Sequence, residues 1–192
     1  VLGRFPQKVT STKSSIRAGR DTIKVLSERN PADLPWGDLG VDVVIESTGF
    51  FNNREAASAH LEGGAPLVIV TAPCSNADAT FVYGVNHKDF RVSKDKVISN
   101  ASCTTNCFVP MVKVLDDAFG LTQGLMTTIH SYTGDQNLVD GPHGDLRRAG
   151  GAAINFVPTS TGAARASSLV MQSMKGKLDG TALRVPTPTG SL

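Results

Sequence analysis

Two thiols lie close together in the stretch SNASCTTNC, which covers residues 99–107. Cys103 and Cys107 are four positions apart among hydroxyl and amide side chains, and an apolar run follows them directly. A pair of cysteines at this spacing could bind a metal, form a disulfide, or supply one reactive thiol with a neighbour. Each possibility needs different partners elsewhere in the chain.

A metal site would need more ligands than the two thiols supply. Adding His130 and His143 gives a set of four, but their spacing matches no common zinc module. A disulfide within one helix has poor geometry, and three cysteines in a chain of 192 residues are typical of a reducing compartment. We therefore expect no metal ligands, with a zinc site as the minor alternative.

A single reactive thiol has the best physical support. A helix is predicted to begin near the cysteines, so its backbone N–H groups and positive dipole end would favour the thiolate of Cys103. The hydroxyl groups of Ser102 and Thr104 flank this thiol and would help to hold an anion at the same helix terminus. Cys107 falls one helical turn later, where we expect a buried bystander, and Cys74 has no comparable setting.

A thiol nucleophile also needs a base, and His130 is the best candidate among the four histidines. It stands where the predicted strand LMTTIHSYT runs into a loop. The alternative is that this histidine is structural.

Two arginines indicate phosphate binding in more than one place. Arg148 and Arg184 lie near the hydroxyl-rich stretches HSYT and PTSTG, and guanidinium groups bind phosphate oxygens well. The alternative is ordinary solvated surface charge, which is the favoured interpretation for Arg147 and Arg165.

The segments that must position these residues follow an α/β pattern. VDVVIESTG and APLVIVTAP are buried-type strands, and FNNREAASAHLEGG between them is a helix capped by Asn52 or Asn53 and stopped by Gly63 and Gly64. In a parallel strand–helix–strand unit, ligands bind at the carboxyl ends of the strands, here at residues 47–49 and 71–73. The simpler alternative is that small residues end these strands because turns require them.

The rest of the chain alternates in the same way. Further strands are predicted at TIKVLS, TFVYGVN, KVISN and TALRVPTPTG. A helix is predicted through FVPMVKVLDDAFG, with Pro110 as an obstacle and Gly120 as its end, and another follows a Ser160 or Thr161 cap. The segment 134–155 lacks periodicity and suits a functional surface loop.

Composition excludes several classes of function. The net charge is +2 and aromatic residues make up 6%, without a basic stripe, so specific nucleic-acid binding is disfavoured. The sequence contains no apolar run long enough for a membrane span, and we expect a soluble, cytoplasmic protein. Because the sequence starts without Met and ends on VPTPTGSL, we expect it to be part of a longer chain.

The motifs ASCTTNC, HSYTGDQ, LRRA, PTSTGAA and LRVPTP, in that order, resemble those of the glyceraldehyde-3-phosphate dehydrogenases. The similarity extends upstream through SERNPADLPWGDLGVDVVIESTG and GVNHKDF. It implies part of a Rossmann-type, parallel-sheet cofactor domain over residues 1–101, followed by the first part of an α+β catalytic domain over residues 102–192. Members of the family are homotetramers, which implies the same assembly for the full-length protein.

The resemblance also implies a reaction. Cys103 would attack the aldehyde of glyceraldehyde 3-phosphate, and His130 would accept the hydroxyl proton while a hydride passes to NAD. Inorganic phosphate would then attack the thioester and release 1,3-bisphosphoglycerate. Pro142 in LVDGPH is similar to the NAD-using bacterial type rather than the NADP-using plastid type.

The family's binding sites correspond to particular positions here. The site for attacking phosphate matches Ser102, Thr104, Thr161 and Gly162, with Arg148 nearby. The site for the substrate's own phosphate matches Thr133 and Arg184. Positions that line the cofactor match Arg29, Ser47, Thr48, Gly49 and Thr71.

The sequence departs from the family pattern in several places. It has no GxGxxG-type loop with an acidic residue about 20 positions beyond it. It also lacks the family's closing segment; Gly150 stands where bacterial relatives often carry Arg, and Gly134 where some carry Asn. We therefore expect these 192 residues alone neither to bind NAD well nor to turn over.

Three other functions compete with this one. Erythrose-4-phosphate dehydrogenase shares the thiol and the base, and aspartate-semialdehyde dehydrogenase uses similar chemistry with anion sites for different groups. The third is a non-catalytic module that binds zinc or nucleic acid.

Overall fold

The computed structural model describes residues 3–192, which form three separate sheets. The first sheet is antiparallel, in the order β1-β2-β3, with strands at Val9–Ser11, Ser15–Ala18 and Asp21–Lys24. Its side chains are mostly exposed. The strand predicted at TIKVLS is thus confirmed for its first three residues and wrong for Val25–Ser27, which lie beyond the hairpin.

The second sheet is parallel and has the order β4-β5-β7-β6. Its strands are Val44–Glu46, Val68–Val70, Ala79–Thr80 (β6) and Val97–Ser99 (β7). Val68, Val70 and Val97 pack with Ala57 in its core. The parallel strand–helix–strand unit and the KVISN strand are therefore confirmed, which agrees with the expected Rossmann-type sheet.

The TFVYGVN prediction is wrong beyond Thr80. The side chain of Asn86 accepts from the N–H of Val82 at 2.9 Å and donates to the Thr80 carbonyl at 2.9 Å. These two bonds close the chain into a turn, so the apolar residues after Thr80 do not extend the strand.

Two short helices cross over between β4 and β5. Helix α1 is Arg54–Ala57 and helix α2 is Ala59–Glu62. Asn53, rather than Asn52, caps α1 by accepting from the Ala56 N–H at 2.8 Å. Gly63 is required just after α2 because a Cβ there would lie 2.5 Å from the Leu34 carbonyl oxygen.

Helix α3, Cys103–Phe119, confirms the helix predicted after the cysteines. Ser102 caps it by accepting from the Thr105 N–H at 3.0 Å, and Gly120 ends it at a φ of 73°. Pro110 removes one backbone hydrogen bond inside the helix without ending it. Among residues 3–192, no helix is long and apolar enough to cross a membrane.

The third sheet has the order β8-β10-β9. Strands β8 (Gly124–Ser131) and β10 (Leu178–Val185) are parallel, and β9 (Val157–Thr159) is antiparallel to β10. Helix α4 is Ala163–Val170, and its Ala164 packs with Val112 of α3. The predicted strand LMTTIHSYT is confirmed from Leu125 to Ser131, and TALRVPTPTG is confirmed from Thr181 to Val185 and wrong beyond it.

Two loop predictions have different outcomes. The segment 134–155 contains only the short 3-10 turns Leu146–Arg148 and Ala152–Ile154, which agrees with the predicted loop. The cap of α4 is Gly162, so a Ser160 or Thr161 cap is wrong, although Thr161 Oγ1 accepts from the Ala163 N–H at 3.2 Å.

Asp78 joins β6, β7 and α1, and Asp78→Asn should lower the free energy of unfolding by about 2–4 kcal/mol. Its carboxylate accepts from the N–H groups of Lys96 and Val97 at 2.9 Å each and from Arg54 Nε at 2.6 Å. Burial opposes ionisation of Asp78, but the bonds from Arg54 and the two backbone N–H groups outweigh it and hold the pKa below its usual value. Urea unfolding of the two proteins measures the difference.

The pH dependence has a definite sign. Because the folded pKa of Asp78 is depressed, its stabilisation is fully present above the unfolded pKa of about 3.9 and is lost as pH falls through the folded pKa. The difference between wild type and variant should stay constant from neutral pH to about pH 5 and shrink below about pH 4. The exposed Asp117→Asn serves as control, with a change within about 0.5 kcal/mol. A pH-independent difference would contradict the role of the carboxylate charge.

Candidate active site

Cys103 is the first residue of α3, and its thiol is exposed. The side chain of Ser102 is used in the cap, and Cys103 follows it in the first turn of the helix, where the backbone N–H groups have no partner within the helix. Such a terminus stabilises a negative charge. The local sequence therefore produces the setting expected for a nucleophilic thiolate.

His130 is the second-to-last residue of strand β8, and its side chain is buried. Its Nε2 is 3.5 Å from Sγ of Cys103, so the two side chains are in hydrogen-bond contact across 27 positions of sequence. The start of a helix and the end of a strand thus bring the predicted nucleophile and base together.

The second ring nitrogen fixes the protonation pattern of His130. Nδ1 is 2.7 Å from the Ser131 carbonyl, which has no proton to give, so Nδ1 must be the donor. Nη1 of Arg184 is also 2.9 Å from Nδ1, but its protons have acceptors at the Ser131 carbonyl and Thr133 Oγ1, each at 3.1 Å. Nε2 is then left with a lone pair that faces the thiol of Cys103.

Strand pairing places Arg184 next to His130. Strands β8 and β10 pair in parallel with Arg184 opposite His130, and β9 places Val157 on the other side of Arg184. Arg184 Nε is buried and has no protein partner among residues 3–192. A guanidinium with a free buried donor, beside the hydroxyl of Thr133, fits an anionic ligand.

Arg148 lies in the same region on the long loop. Its Nε and Nη2 donate to Thr159 Oγ1 at 3.0 and 2.8 Å, and its Nη1 pairs with the Asp135 carboxylate at 2.6 Å. Thr159 ends β9, which leads directly to Thr161 and Gly162 at the start of α4. Arg148 is therefore connected to the predicted phosphate residues of that helix start, while Thr104 stands on the first turn of α3.

Sequence reasoning missed Asp135, which connects the two predicted anion sites. Its carboxylate accepts from the hydroxyl of Thr133 and pairs with Arg148. Burial raises its pKa, but the bond from Thr133 and the charges of Arg184 and Arg148 outweigh burial, so its pKa lies below the usual value. The only signal was its place in the motif HSYTGDQ, where neighbouring Gln136 also has buried amide atoms without a partner within residues 3–192.

The predicted cofactor residues meet at the carboxyl ends of β4 and β5. Thr71 Oγ1 donates to Ser47 Oγ at 3.0 Å, and Thr48 donates its N–H to the Glu46 carboxylate at 2.7 Å. Gly49 has a φ of 81°, and a Cβ there would meet only open space. Exposed hydroxyl groups at the edge of a parallel sheet fit the ribose and amide groups of a dinucleotide.

Arg29 is placed differently from the other predicted cofactor residues. It is exposed on the loop before the 3-10 turn Pro31–Asp33, and its guanidinium makes no hydrogen bond or ion pair within residues 3–192. A cavity of about 200 Å³ lies near the strand ends, lined partly by Pro73, Cys74 and Ser99. Burial raises the pKa of the Cys74 thiol, which makes it a poorer nucleophile.

The alternatives for the opening pair of thiols have little structural support. All three cysteines are free, and within the described part of the chain no three His, Cys, Asp or Glu side chains are close enough to hold a metal ion. His143 instead donates from Nε2 to the Asp135 carbonyl at 2.7 Å. The expectation that Cys107 is buried is wrong: the side chain is exposed, because it lies on the face of α3 opposite the buried residues Thr105, Val109 and Val112.

Comparison with known proteins agrees with the geometry. Residues 1–54 match the family model for the glyceraldehyde 3-phosphate dehydrogenase NAD binding domain, and residues 102–192 match that for the C-terminal domain. The chain is 59% identical over 192 residues to glyceraldehyde-3-phosphate dehydrogenase 1 of Streptomyces avermitilis. It is 60% identical over 194 residues to the glyceraldehyde-3-phosphate dehydrogenase of Mycobacterium bovis.

These alignments cover all of the chain but only part of the relatives. The chain spans 58% of the Streptomyces avermitilis protein and 57% of the Mycobacterium bovis protein. Both domain models belong to one family, they follow in the same order along the chain, and the identity extends over its whole length. The chain therefore belongs to the glyceraldehyde-3-phosphate dehydrogenase family.

Proposed function

We propose that the protein oxidises and phosphorylates glyceraldehyde 3-phosphate to 1,3-bisphosphoglycerate with NAD, through a thioester on Cys103. The single observation that carries this proposal is the 3.5 Å contact between Cys103 Sγ and His130 Nε2. A thiol at a helix start next to the lone pair of an oriented imidazole is a nucleophile with its base. The names of the relatives supply the substrate, and the description of the matching N-terminal family model supplies the cofactor.

The first step uses both side chains. Nε2 of His130 accepts the thiol proton, and the thiolate of Cys103 attacks the aldehyde carbon. The imidazolium returns its proton to the carbonyl oxygen, which gives a thiohemiacetal. Arg184 and the hydroxyl of Thr133 lie beside His130 and would hold the substrate's phosphate.

The second step removes two electrons. NAD, when bound, accepts the hydride from the former aldehyde carbon. As the hydride leaves, Nε2 of His130 takes the hydroxyl proton, and a thioester with Cys103 remains. The hydroxyl groups of Ser47, Thr48 and Thr71 at the strand ends, with Gly49 and the more distant Arg29, would hold the cofactor.

The third step releases the product. An oxygen of inorganic phosphate attacks the thioester carbon, and the thiolate of Cys103 leaves as the acyl phosphate forms. We assign the attacking phosphate to Arg148 together with Ser102, Thr104, Thr161 and Gly162, at the starts of the two longest helices. N–H groups at helix starts bind phosphate oxygens.

The test is turnover by the protein expressed from its own gene, followed by NADH absorbance. We expect NADH formation to require glyceraldehyde 3-phosphate and to continue only with inorganic phosphate. Without phosphate, mass spectrometry should find an acyl group on Cys103. Faster turnover of erythrose 4-phosphate, or turnover independent of phosphate, would overturn the assignment.

Arg148→Gln should raise the KM for inorganic phosphate by about ten-fold or more, because a charge-assisted bond to the attacking anion is lost. The KM for the aldehyde should change much less. Initial rates at varied phosphate measure the effect. The adjacent Arg147→Gln is the matched control, because Arg147 is exposed and pairs only with Asp145 within residues 3–192. Equal effects of the two substitutions would contradict the assigned role of Arg148.

Three further features belong to this proposal. Residues 1–101 would form part of the cofactor domain, and residues 102–192 the first part of the catalytic domain. The full-length protein would act in the cytoplasm as a homotetramer, without a specific nucleic-acid partner. Size-exclusion chromatography with light scattering measures the assembly.

A further inference from the structure

Glu46 is a buried carboxylate that the proposed reaction does not use directly. It is the last residue of β4, only 3% exposed, and its neighbour His60 on α2 is 5% exposed. We propose that Trp36, His60 and Glu46 form a chain of positioning residues that holds the turn Ser47–Gly49 in the shape that binds the nicotinamide cofactor. This inference rests on the proposed function.

The chain is continuous. Trp36 Nε1 is 3.1 Å from His60 Nδ1, and His60 Nε2 is 2.9 Å from Glu46 Oε2. The other carboxylate oxygen, Oε1, accepts from the N–H and the hydroxyl of Thr48 at 2.7 and 2.5 Å. The Glu46 backbone carbonyl accepts from the N–H of Thr71 at 3.0 Å and from its hydroxyl at 3.2 Å.

The protons in this chain can be arranged in only one way. The indole N–H can only donate, so His60 Nδ1 must be the acceptor. A neutral His60 then carries its proton on Nε2 and donates it to Glu46. Each hydrogen bond therefore has one donor and one acceptor. The donations run from Trp36 through His60 and end at the carboxylate of Glu46. In agreement, the bonds from Thr48 and His60 outweigh burial and hold the pKa of Glu46 below its usual value.

The chain of positioning residues acts on the cofactor-binding edge of the sheet because it ends at the turn Ser47–Gly49. One carboxylate oxygen of Glu46 accepts both the N–H and the hydroxyl proton of Thr48, so that hydroxyl cannot turn outward as a donor. The hydroxyl of Thr71 shares its one proton between the Glu46 backbone carbonyl and Ser47 Oγ, so Glu46 contacts hydroxyl groups on both neighbouring strand ends. His60 and Trp36 touch none of these hydroxyls and act only by orienting Glu46.

Substitutions at His60 test the chain by donor and acceptor pattern. In His60→Gln, the amide oxygen can accept from Trp36 and the amide N–H can donate to Glu46, so the pattern is kept. In His60→Leu, both bonds are lost at similar volume. We expect His60→Leu to raise the KM for NAD about ten-fold and His60→Gln about two-fold or less. The KM for the aldehyde and kcat should change little in both.

A second pair of variants tests the direction of the protons. In Glu46→Gln, the amide N–H would face the N–H of His60 Nε2. Moving the His60 proton to Nδ1 would relieve this conflict, but the Trp36 N–H blocks it. In Trp36→Phe that donor is absent, so adding Trp36→Phe to Glu46→Gln should lower the KM for NAD again, by about three-fold or more. The exposed Glu62→Gln is the control and should behave as wild type.

Fluorescence gives a readout that does not depend on activity. Trp36 is the single tryptophan of the sequence, so its emission reports only this chain. Emission should shift in His60→Leu and stay near wild type in His60→Gln and Glu62→Gln. Thermal unfolding shows whether each variant is folded.

The outcomes separate this inference from the proposed function. Wild-type protein expressed from its own gene that neither binds nor reduces NAD would overturn both. Active wild-type protein with equal KM values for NAD in His60→Gln and His60→Leu would overturn only the positioning chain. So would strictly additive effects of Glu46→Gln and Trp36→Phe, or a KM for the aldehyde that rises as much as that for NAD.

Discussion

Cys103→Ser is expected to lower the rate of NADH formation by about 10⁵-fold or more, since removal of a covalent nucleophile costs about this much. A serine hydroxyl at the start of α3 is not ionised near neutral pH, so it cannot attack the aldehyde as a thiolate does. The nearby imidazole of His130 does not compensate. Its Nε2 lies 3.5 Å from the sulfur position of Cys103, which is longer than a normal hydrogen bond to a hydroxyl oxygen. Initial rates at saturating aldehyde, NAD and phosphate measure the loss.

The matched control is Cys107→Ser. Cys107 is exposed one turn further along α3, so a general need for thiols would affect both variants. We expect Cys107→Ser to keep most of the wild-type rate. Iodoacetamide should inactivate wild type and Cys107→Ser by alkylating Cys103. A Cys103→Ser variant with more than a small fraction of wild-type activity would contradict the thioester mechanism.

His130→Asn should lower kcat by about 10²- to 10⁴-fold, the usual contribution of a general acid and base. Asparagine keeps a polar group at the end of β8 but cannot accept the thiol or hydroxyl proton near neutral pH. Initial rates at saturating substrates measure the loss.

Two measurements separate a catalytic His130 from a structural one. Alkylation of Cys103 should be slower in His130→Asn, because the imidazole no longer accepts the thiol proton. The control His87→Asn alters a histidine whose Nδ1 only accepts from the Gly84 N–H, and it should leave kcat unchanged. If His130→Asn lowers thermal stability but keeps kcat and the alkylation rate of Cys103, the histidine is structural.

Local rules in the sequence determined several elements correctly. Gly120 ends α3 as predicted, because a positive-φ glycine acts on the adjacent residues alone. Asn53 caps the first crossover helix by an equally local bond, whereas Gly63 is needed after the second because of its close approach to Leu34. The apolar β-branched runs around Val44 and Val68 predicted parallel strands, and these strands pair as expected, although Ile45 on the second face of β4 is 65% exposed.

Other predictions from the sequence were wrong where one side chain outweighed propensity. Asn86 closes a turn on Thr80 and Val82, so an apolar run with strand character does not continue β6. Cys107 was expected to be buried but is exposed, because it lies on the face of α3 opposite the buried residues Thr105, Val109 and Val112. Periodicity describes one element and carries no information about its neighbours.

The sequence by itself determined the chemical groups of this protein: a thiol at a helix start, a histidine at a strand end, and arginines near hydroxyls. Only the tertiary structure decided which of them meet. The contact of Cys103 with His130 crosses 27 positions, and parallel pairing of β8 and β10 sets Arg184 opposite His130 across 54. Asp135 and the Trp36–His60–Glu46 chain are also products of packing, because a hydrogen bond between distant residues depends on strand register and helix placement rather than on local sequence.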